Sequence, residues 1–464
     1  MLFACVAGAN HDGHDFASEA VHAGAAALLV SRRLDSLTVP QLVVPDVRAA
    51  LGPCAAAVHG HPSRRVCTIA VTGTAGKTTV SHALAAVLNA AGRRCAVLGT
   101  LHGTHTTPEA TDLNRWLAAR TAAGAGRPHA VVEVSSHALA LGRVDAVEFA
   151  AGVFTNLSPE HLDFHGGMDA YFDAKVSLFD GRSALAVVNV GDEWGGRLRA
   201  RIADRTPVHA YSPDDMTDVE SSLAGLRFTW RGRRLASRLV GRANVENLAA
   251  VAATALALGL DEDAVAAGLE AVEPVPGRMQ PVSAAAPGAT VLVDYAHKPG
   301  ALAAALAGAR ELTGVREPAC DAGRLWVVFG AGGNRDHDKR AEMGRVAAEL
   351  ADVVVVTTDN PRTESAAAIA DEIEAGFAAA AGAAAGAAEG ARAELHRILD
   401  RRAAVAFAVE GARPGDVVVL AGRGHEREQV FADHVEPFDD AAVAAELQAA
   451  ASLADRHPPG TSPA

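Results

Sequence analysis

The sequence predicts an α/β fold with parallel sheets, and two observations support this prediction. Short apolar runs that suit buried strands alternate with helical stretches along most of the 464 residues, as in parallel sheets covered by helices. One of these runs, 66–72, leads through a turn with two glycines into a helix predicted to begin near Lys77. Strand, glycine-rich turn and helix in this order are typical of a loop that binds phosphate.

Three blocks are predicted along the chain: 1–64, 65–277 and 278–464. The first is predicted to be a small α/β unit, and turn-forming residues at 59–63 and 274–278 mark the two boundaries. The second and third blocks each repeat the strand–helix alternation several times, which indicates a parallel sheet in each. The predicted strands are 26–30 and 41–44 in the first block, 66–72, 95–99, 130–134, 152–155 and 185–189 in the second, and 290–294, 325–329, 353–357 and 417–420 in the third.

Composition excludes several classes of protein. The formal net charge of −13 opposes non-specific attraction to nucleic acid or to anionic membranes. The five cysteines are odd in number and widely spaced, which favours a reducing compartment without disulfides or structural zinc. The first residues lack a basic stretch followed by an apolar one, and no apolar run is long enough to span a membrane. We therefore expect a cytoplasmic, monomeric protein with no nucleic-acid partner and no membrane insertion.

The turn after the first strand of the second block has the residues for phosphate binding. Its small residues let backbone N–H groups close on phosphate oxygens, and the following helix adds the positive end of its dipole. Lys77 can reach the terminal phosphates, and the Thr78 hydroxyl is placed to bind a magnesium ion. Position 71, where the common pattern has a glycine, is valine, and the shorter form indicates a subgroup of ATP-binding proteins; a glycine-rich turn that binds nothing is the alternative. The predicted contacts are Gly73, Thr74, Ala75, Gly76, Lys77, Thr78 and Thr79.

Titratable side chains follow two further strands of the second block. Glu133 lies near the end of the strand 130–134, and His161 and Asp163 follow the strand 152–155. Ligand chemistry in an open parallel sheet collects at the carboxyl ends of the strands, so Glu133 is expected beside the phosphate loop, where a carboxylate can hold magnesium. A single histidine at a strand end is usually structural, but several such groups at successive strand ends favour a site.

Ten motifs in the same order give the chain its resemblance to a known family. The segments T-G-T-A-G-K-T-T, E-V-S-S-H-A-L, T-N-L-S-P-E-H-L-D-F-H-G and Y-F-D-A-K-V-S-L-F occupy the second block. They continue with G-R-A-N-V-E-N-L-A-A, P-G-R-M-Q, D-Y-A-H-K-P, F-G-A-G-G-N-R-D, D-N-P-R and A-G-R-G-H-E. Together they resemble the Mur ligases, and most closely the subgroup that adds the third residue of the peptidoglycan stem.

This resemblance implies a fold and a reaction. The fold is a three-domain architecture: a small N-terminal domain for the UDP-linked substrate, a central ATPase domain with the phosphate loop, and a C-terminal Rossmann-like domain for the amino acid. The N-terminal domain is expected to be shortened, because the family's Asp-Ser-Arg segment would precede Met1. The reaction phosphorylates a carboxylate with ATP and lets an amine attack the acyl phosphate, with magnesium and Lys77 neutralising charge.

The resemblance also implies the metal and nucleotide contacts. Thr78 and Glu133 are expected to hold one magnesium ion, and Glu133 with His161 a second. Lys175 matches the lysine that reacts with carbon dioxide to become a carbamate near that second ion; a solvated helix lysine in an ion pair is the alternative. Base, ribose and phosphate contacts of ATP are expected from Asn244, Asn247, Arg278, Asp294 and His297. Polar packing of one helix face is the alternative for the two asparagines.

Substrate contacts follow from the same resemblance. The muramoyl-peptide is expected at Thr106, Thr107, Ser135, Ser136 and Arg143, although 106–109 also suits a helix start with proline at its first position. The incoming amino acid is expected at Arg335, Asp359, Asn360, Arg362, Gly422 and Glu426. In the D-N-P-R form, Arg362 resembles the arginine of ligases that add diaminopimelate, whose distal carboxylate accepts a bidentate bond.

Three other functions share part of this pattern. A ligase of the same family that joins an amino acid to another carboxylate, in specialised metabolism, has the same ATP site. A folylpolyglutamate synthase shares the phosphate loop and the carbamate lysine, but is not expected to have Thr106, Thr107 or the D-N-P-R motif. A non-catalytic nucleotide-binding regulator is the third, and acceptor-dependent release of ADP distinguishes a ligase from it.

Overall fold

The computed structural model describes residues 1–8, 11–103, 105–121, 126–282, 289–313, 323–334, 336–384 and 393–456. The chain forms two compact units. Unit 1 contains Met1–Asp214 and Asn247–Gly268, and unit 2 contains Asp215–Glu246 and Leu269–Ala464. Within the described ranges, no helix has both the length and the apolar character that crossing a membrane requires.

The first sheet of unit 1 is small and parallel, with strand order β1-β2-β3. Its core contains Cys5, Ala17, Leu28 and Val30, all of which are buried. The second helix begins after Asp46, whose carboxylate accepts hydrogen bonds from two backbone N–H groups of the first turn. The elements are β1 (Leu2–Ala4), α1 (Ala17–His22), β2 (Ala27–Val30), β3 (Gln41–Val43) and α2 (Val47–Val58).

The second sheet of unit 1 has six parallel strands in the order β5-β6-β4-β7-β8-β9. Its central strand is a continuous apolar run in which Ile69, Ala70 and Val71 are fully buried, as expected for a strand covered on both faces. The elements are β4 (Cys67–Thr72), α3 (Lys77–Ala90), β5 (Cys95–Leu98), α4 (Ala110–Arg120), β6 (His129–Glu133), α5 (Ser136–Ala140), β7 (Ala151–Phe154), α6 (Leu162–His165), α7 (Met168–Val176), β8 (Ala186–Asn189), α8 (Glu193–Ile202) and β9 (Val208–Tyr211).

An antiparallel sheet follows, with strand order β10-β11-β12. It lies outside the predicted set of strands, because the prediction relied on continuous apolar runs. Here buried residues such as Phe228 and Trp230 alternate with exposed ones. The elements are β10 (Met216–Ser222), β11 (Gly225–Trp230), β12 (Arg233–Ser237), α9 (Ala243–Ala257) and α10 (Glu262–Glu270).

Unit 2 is built on a six-stranded sheet in the order β13-β14-β18-β15-β16-β17, parallel except for β13. Buried side chains of α11 to α13 and of α14 and α15 pack in two separate cores. The elements are β13 (Gln280–Pro281), β14 (Thr290–Asp294), α11 (Pro299–Arg310), β15 (Leu325–Phe329), α12 (Asp338–Leu350), β16 (Val353–Val356), α13 (Ala366–Ala384), β17 (Glu394–Arg397), α14 (Arg401–Gly411), β18 (Val417–Ala421), β19 (Glu428–Val430), β20 (Val435–Pro437) and α15 (Asp440–Arg456).

The predicted α/β fold is confirmed. Every predicted strand is present, with ends that differ by no more than one residue from the prediction. The first two predicted blocks each contain one parallel sheet, and the third contains a sheet that is parallel except for β13. The exact boundaries of the blocks stay a prediction.

Candidate active site

The loop between β4 and α3 depends on two glycines with positive φ, Gly73 at 153° and Gly76 at 83°. A Cβ on Gly73 would lie 1.9 Å from Thr155 Oγ1, and one on Gly76 would lie 2.4 Å from Asn247 Oδ1. No other residue fits either position without displacing a neighbour. Helix α3 begins at Lys77 as predicted, so its N-terminal N–H groups face the loop.

Side chains at the end of β7 hold the loop in this shape. The Ala75 N–H donates to Asn156 Oδ1 at 2.9 Å, and the Thr155 hydroxyl donates to the Ala75 carbonyl at 2.6 Å. On the other side, Thr74 Oγ1 lies 3.0 Å from the Tyr171 hydroxyl. Thr155 and Asn156 hold the loop but were not among the predicted site residues, although both belong to the motif T-N-L-S-P-E-H-L-D-F-H-G.

Two lysine ammonium groups meet on one backbone carbonyl of the loop. Lys77 Nζ donates to the carbonyl oxygens of Gly73 and Thr74, both at 2.9 Å, and Lys175 Nζ donates to the same Gly73 oxygen at 3.0 Å. Lys175 is 1% exposed and lies over the Tyr171 ring. Burial, and then the charge of Lys77, lower the pKa of Lys175 well below its usual value. Lys175 is therefore not a solvated helix lysine.

Glu133 is fully buried beside the start of α3. Its Oε2 accepts hydrogen bonds from the hydroxyls of Thr78 and Thr100, and its Oε1 accepts one from the Thr100 N–H, all at 3.0 Å. Neutral groups thus satisfy the carboxylate. A hydroxyl and a carboxylate oxygen are the donor types that magnesium takes together with substrate phosphates, so the Thr78–Glu133 pair fits that ion.

His161 belongs to a cluster of rings in front of α6. Its backbone is left-handed, with φ of 55°, its ring centroid lies 4.5 Å from that of His137, and its Nε2 lies 3.9 Å from a Glu160 oxygen. His165 completes the cluster, and burial, followed by the charges of His137 and Lys175, lowers its pKa. Among the described residues, no three His, Cys, Asp or Glu side chains converge into a ready metal cage.

The residues predicted to contact the muramoyl-peptide lie around the backbone of Glu133. The Thr107 hydroxyl donates to the Glu133 carbonyl at 2.8 Å and accepts from the Ser135 N–H at 3.0 Å. Arg143 donates to the Thr107 carbonyl at 3.0 Å and pairs with Glu109. Thr107, Ser135 and Arg143 are thus brought together in one hydrogen-bonded group.

Thr106 and Ser136 lie at the edges of this group. Thr106 Oγ1 is 3.1 Å from Thr100 Oγ1, and Ser136 Oγ is 3.0 Å from His165 Nε2. Helix α4 begins only at Ala110, after Glu109 at its N-cap. Residues 106–109 therefore do not form a helix start with Pro108 at its first position.

In unit 2, the D-N-P-R motif follows β16 and meets the end of β18. Asn360 Nδ2 donates to Glu426 Oε2 at 2.8 Å, and a Cβ on Gly422, where φ is 107°, would lie 2.7 Å from Asp359 Oδ2. Burial, and then the charge of Asp359, raise the pKa of Glu426. These four predicted residues form one cluster with two carboxylates.

Arg362 closes this cluster on the side of the loop after β15. Its Nη1 donates to the Gly333 carbonyl at 2.8 Å, and its N–H donates to the Val430 carbonyl at 3.1 Å. Gly333 in turn donates to the Asn360 carbonyl at 2.9 Å. The remaining predicted member, Arg335, lies outside the described residues.

The predicted nucleotide contacts of unit 2 surround the end of β14. Asp294 Oδ2 accepts from the Met279 N–H at 2.7 Å, and burial raises the pKa of Asp294. The Arg278 guanidinium lies 4.7 Å from the Tyr295 ring centroid. His297 Nδ1 is 2.8 Å from the Tyr295 carbonyl oxygen, and burial lowers the pKa of His297 to about 4.

The two predicted asparagines have different surroundings on α9. Asn244 Nδ2 donates to the Val240 carbonyl at 2.8 Å, four residues earlier. Asn247 lies against Gly76 of the phosphate loop. The structure therefore places Asn247 at the phosphate loop and Asn244 at the start of its own helix.

The fold and the site define a nucleotide-binding α/β protein with a phosphate loop and a buried carboxylate beside it. Two family models match the chain: the Mur ligase middle domain over residues 71–255, and the Mur ligase, glutamate ligase domain over residues 277–424. The chain belongs to the Mur ligase family, and the resemblance seen in its motifs is confirmed.

Relatives and a solved structure agree with this assignment. The chain is 41% identical to the UDP-N-acetylmuramoyl-L-alanyl-D-glutamate–2,6-diaminopimelate ligase of Streptomyces coelicolor, over 95% of this chain and 88% of that protein. It is 40% identical to the ligase of the same name from Gloeobacter violaceus, over 95% and 89% of the two chains. A solved structure with that name matches 97% of this chain and 92% of its own, with a TM-score of 0.65 and 31% identity.

Proposed function

We propose that this protein joins diaminopimelate to the D-glutamate of UDP-N-acetylmuramoyl-L-alanyl-D-glutamate with ATP, in the synthesis of a peptidoglycan precursor. The observation that carries the proposal is the set of charged side chains around the phosphate loop, of which Glu133 and Lys175 are buried. Lys77 and Lys175 share the Gly73 carbonyl, and Glu133 is held beside Thr78. This set suits a reaction in which phosphate and carboxylate, both anionic, must be brought together.

The phosphate loop supplies the first half of the reaction. The start of α3 and the Lys77 ammonium attract the terminal phosphates of ATP. The γ-phosphoryl group passes to the carboxylate of the acceptor, whose oxygen forms the new bond to phosphorus while ADP leaves. Thr78 and Glu133 would hold magnesium, which would supply charge neutralisation between the two anions. The amine of the amino acid then attacks the acyl phosphate, and inorganic phosphate leaves.

Lys175 is proposed to act as a carbamate. Carbon dioxide reacts with a neutral amine, forming an N–C bond and releasing a proton. Burial and the neighbouring Lys77 favour the neutral amine of Lys175. The product has a negative charge where the lysine had a positive one, and with His161 it would complete the ligands of a second magnesium ion.

Unit 2 is proposed to bind the amino acid. Asp359 and Glu426 provide carboxylates for its ammonium groups, and Arg362 provides a guanidinium for the distal carboxylate of diaminopimelate. The acceptor is proposed to lie at the hydroxyls of Thr106, Thr107, Ser135 and Ser136, with Arg143. Asn244, Asn247, Arg278, Asp294 and His297 are proposed to bind the rest of ATP. We expect a monomer that acts in the cytoplasm.

An assay of ADP release tests the proposal. The protein is mixed with ATP and magnesium, and the UDP-muramoyl-dipeptide and diaminopimelate are added separately and together. ADP release that requires both substrates supports the proposal. ADP release with another carboxylate acceptor would replace the acceptor and keep the ligase chemistry. Binding of ATP without turnover under all conditions contradicts the proposal and favours a regulator.

A further inference from the structure

Thr100 donates two hydrogen bonds to the Glu133 carboxylate. Its N–H donates to Oε1 and its hydroxyl donates to Oε2, both at 3.0 Å. Two bonds from one residue, one to each oxygen, fix the position and also the plane of a carboxylate. Nothing in the proposed chemistry so far uses Thr100.

The backbone before Thr100 is shaped for this contact. A Cβ on Gly99 would lie 2.0 Å from Glu133 Oε1, so only glycine lets the chain pass this close to the carboxylate. Residue 99 directly follows β5 and precedes the short turn 100–102. The backbone at the end of β5 therefore places Thr100 for its two hydrogen bonds to Glu133.

The directions of the hydrogen bonds extend the contact to the acceptor side. An ionised carboxylate only accepts, so the single hydroxyl proton of Thr100 is engaged by Glu133. The 3.1 Å contact between the hydroxyls of Thr100 and Thr106 must then be donated by Thr106. A chain of donors thus runs from Thr106 through Thr100 to Glu133.

We infer that Thr100 is a positioning residue that fixes the Glu133 carboxylate for magnesium and links it to Thr106 on the acceptor side. The inference rests on the proposed function, because it takes Glu133 as a magnesium ligand. Outer residues that hold a ligand by hydrogen bonds set its orientation and its strength as a metal ligand. Thr78 donates to Oε2, whereas Thr100 donates to both oxygens, which is why the orientation of the carboxylate is assigned to Thr100.

The test measures how magnesium changes nucleotide binding, without any turnover. Binding of β,γ-imido-ATP is measured in EDTA and then in magnesium, for the wild type, Thr100→Val, Thr100→Ser and Thr106→Val. Thr121→Val is the matched control: it makes the same substitution and removes a hydroxyl that donates one hydrogen bond, to the Ala118 carbonyl at the end of α4, away from Glu133. Thermal unfolding of each variant is recorded beside the binding curves.

Thr100→Val should keep the affinity measured in EDTA and bind the nucleotide about tenfold more weakly in magnesium, because a bond to the charged carboxylate is lost. Thr100→Ser and Thr121→Val should match the wild type, and Thr106→Val should show a smaller loss, about threefold. Equal losses in EDTA and magnesium, or no loss at all, overturn the inference. If Thr100→Val does not fold, Thr106→Val decides: a loss of affinity confined to magnesium supports the inference, and no loss, or an equal loss in EDTA, overturns it.

This readout separates the inference from the proposed function. A protein that shows the magnesium-specific loss but releases no ADP with the muramoyl-dipeptide keeps Thr100 as a positioning residue and loses the proposed substrates. A protein that ligates diaminopimelate normally, with the same magnesium dependence in Thr100→Val as in the wild type, keeps the proposed function and loses the inference.

Discussion

The buried charges beside the phosphate loop of unit 1 and the buried charges that border the amino-acid cluster of unit 2 are held in opposite ways. In unit 1, Glu133 is held by hydroxyls and an N–H, and Lys175 donates to a carbonyl oxygen; among the described residues neither makes an ion pair. In unit 2, buried Arg401 donates to both oxygens of buried Asp440 at 2.7 and 2.8 Å, and Arg340 pairs with Glu364. Within the described part of the chain, the buried charges of unit 1 thus lack an opposite charge in contact, whereas those of unit 2 neutralise one another. Arg401 also donates to the carbonyls of Thr358 and Ala421, next to Asp359 and Gly422 of the cluster.

This difference matches what each site is proposed to bind. Phosphate, magnesium and carbon dioxide are small and strongly charged or reactive, and they need protein charges that are not already compensated by opposite ones. An amino acid with two ammonium and two carboxylate groups needs a fixed pattern of both signs, which a network of ion pairs can hold in place. Substitutions should therefore affect activity more than stability in unit 1, and stability more in unit 2.

The largest effect on activity is expected from Lys175→Ala. Loss of the proposed carbamate should lower kcat about 100-fold or more, whereas stability should change much less, because the amine that is removed is buried without an ion-pair partner among the described residues. Short carboxylic acids added to the assay should partly restore ADP release. Lys175→Arg, which keeps the charge but cannot form the carbamate, is the control and should not respond to them. Full activity of the unrescued alanine variant would rule out this role.

Asp440→Ala should give the largest loss of stability. It leaves the fully buried Arg401 without its carboxylate, which costs about 3–5 kcal/mol, and urea unfolding followed by hydrogen exchange should place the loss in unit 2. The double substitution Arg401→Met with Asp440→Leu should recover much of it, since the buried charge is then absent. A single variant as stable as the wild type would contradict the contrast between the two sites.

Arg362→Ala should change specificity more than rate. Its guanidinium is proposed to bind the distal carboxylate of diaminopimelate, so the preference for diaminopimelate over lysine should fall about 10- to 100-fold in kcat/KM. The KM for ATP should not change. Arg345→Ala, which removes an exposed arginine of α12 paired with Glu342 and Glu349, is the control and should keep the preference. An unchanged preference in Arg362→Ala would refute the assignment.

The smallest effect is expected from pH and His297. Its pKa is about 4 in the folded protein and about 6.5 when unfolded, so the unfolded chain binds more protons between these values. The stabilising contribution is complete above about pH 6.5 and falls as the pH drops towards 4, by about 2 kcal/mol at pH 5. Hydrogen exchange of β14 at pH 7 and 5 measures it. His297→Asn should remove most of this difference, and the same pH dependence in both proteins would exclude His297 as its source.

The sequence was sufficient to predict the parallel sheets, because their strands are continuous apolar runs between helices. Val353–Val356 and Leu325–Phe329 are entirely buried and contain no charged residue, so each is recognised as a strand by its apolar residues alone. The antiparallel sheet was beyond this reasoning, since Met216–Ser222 has only one fully buried residue. The register of β10 is set by its antiparallel pairing with β11, and the sequence of β10 alone does not contain this information.

The site was predictable where a motif fixes local geometry and not where distant segments meet. Gly73 to Thr79 form the phosphate loop and are contiguous in the sequence, so the loop could be recognised from the motif alone. Thr100, however, lies 33 positions before Glu133, and only the folded sheet shows that they touch. The chemistry of Glu133 was visible in the sequence, but the residue that orients it was not.

The close approach of Gly99 to Glu133 links the residues that related sequences can have at these two positions. A side chain at this position and a carboxylate at 133 exclude each other, because the Cβ and Oε1 would overlap at 2.0 Å. A copy that has lost Glu133 is relieved of this constraint and can accumulate alanine or serine at 99. We therefore expect the identity of residue 99 to follow that of residue 133, with glycine at 99 wherever the carboxylate is kept.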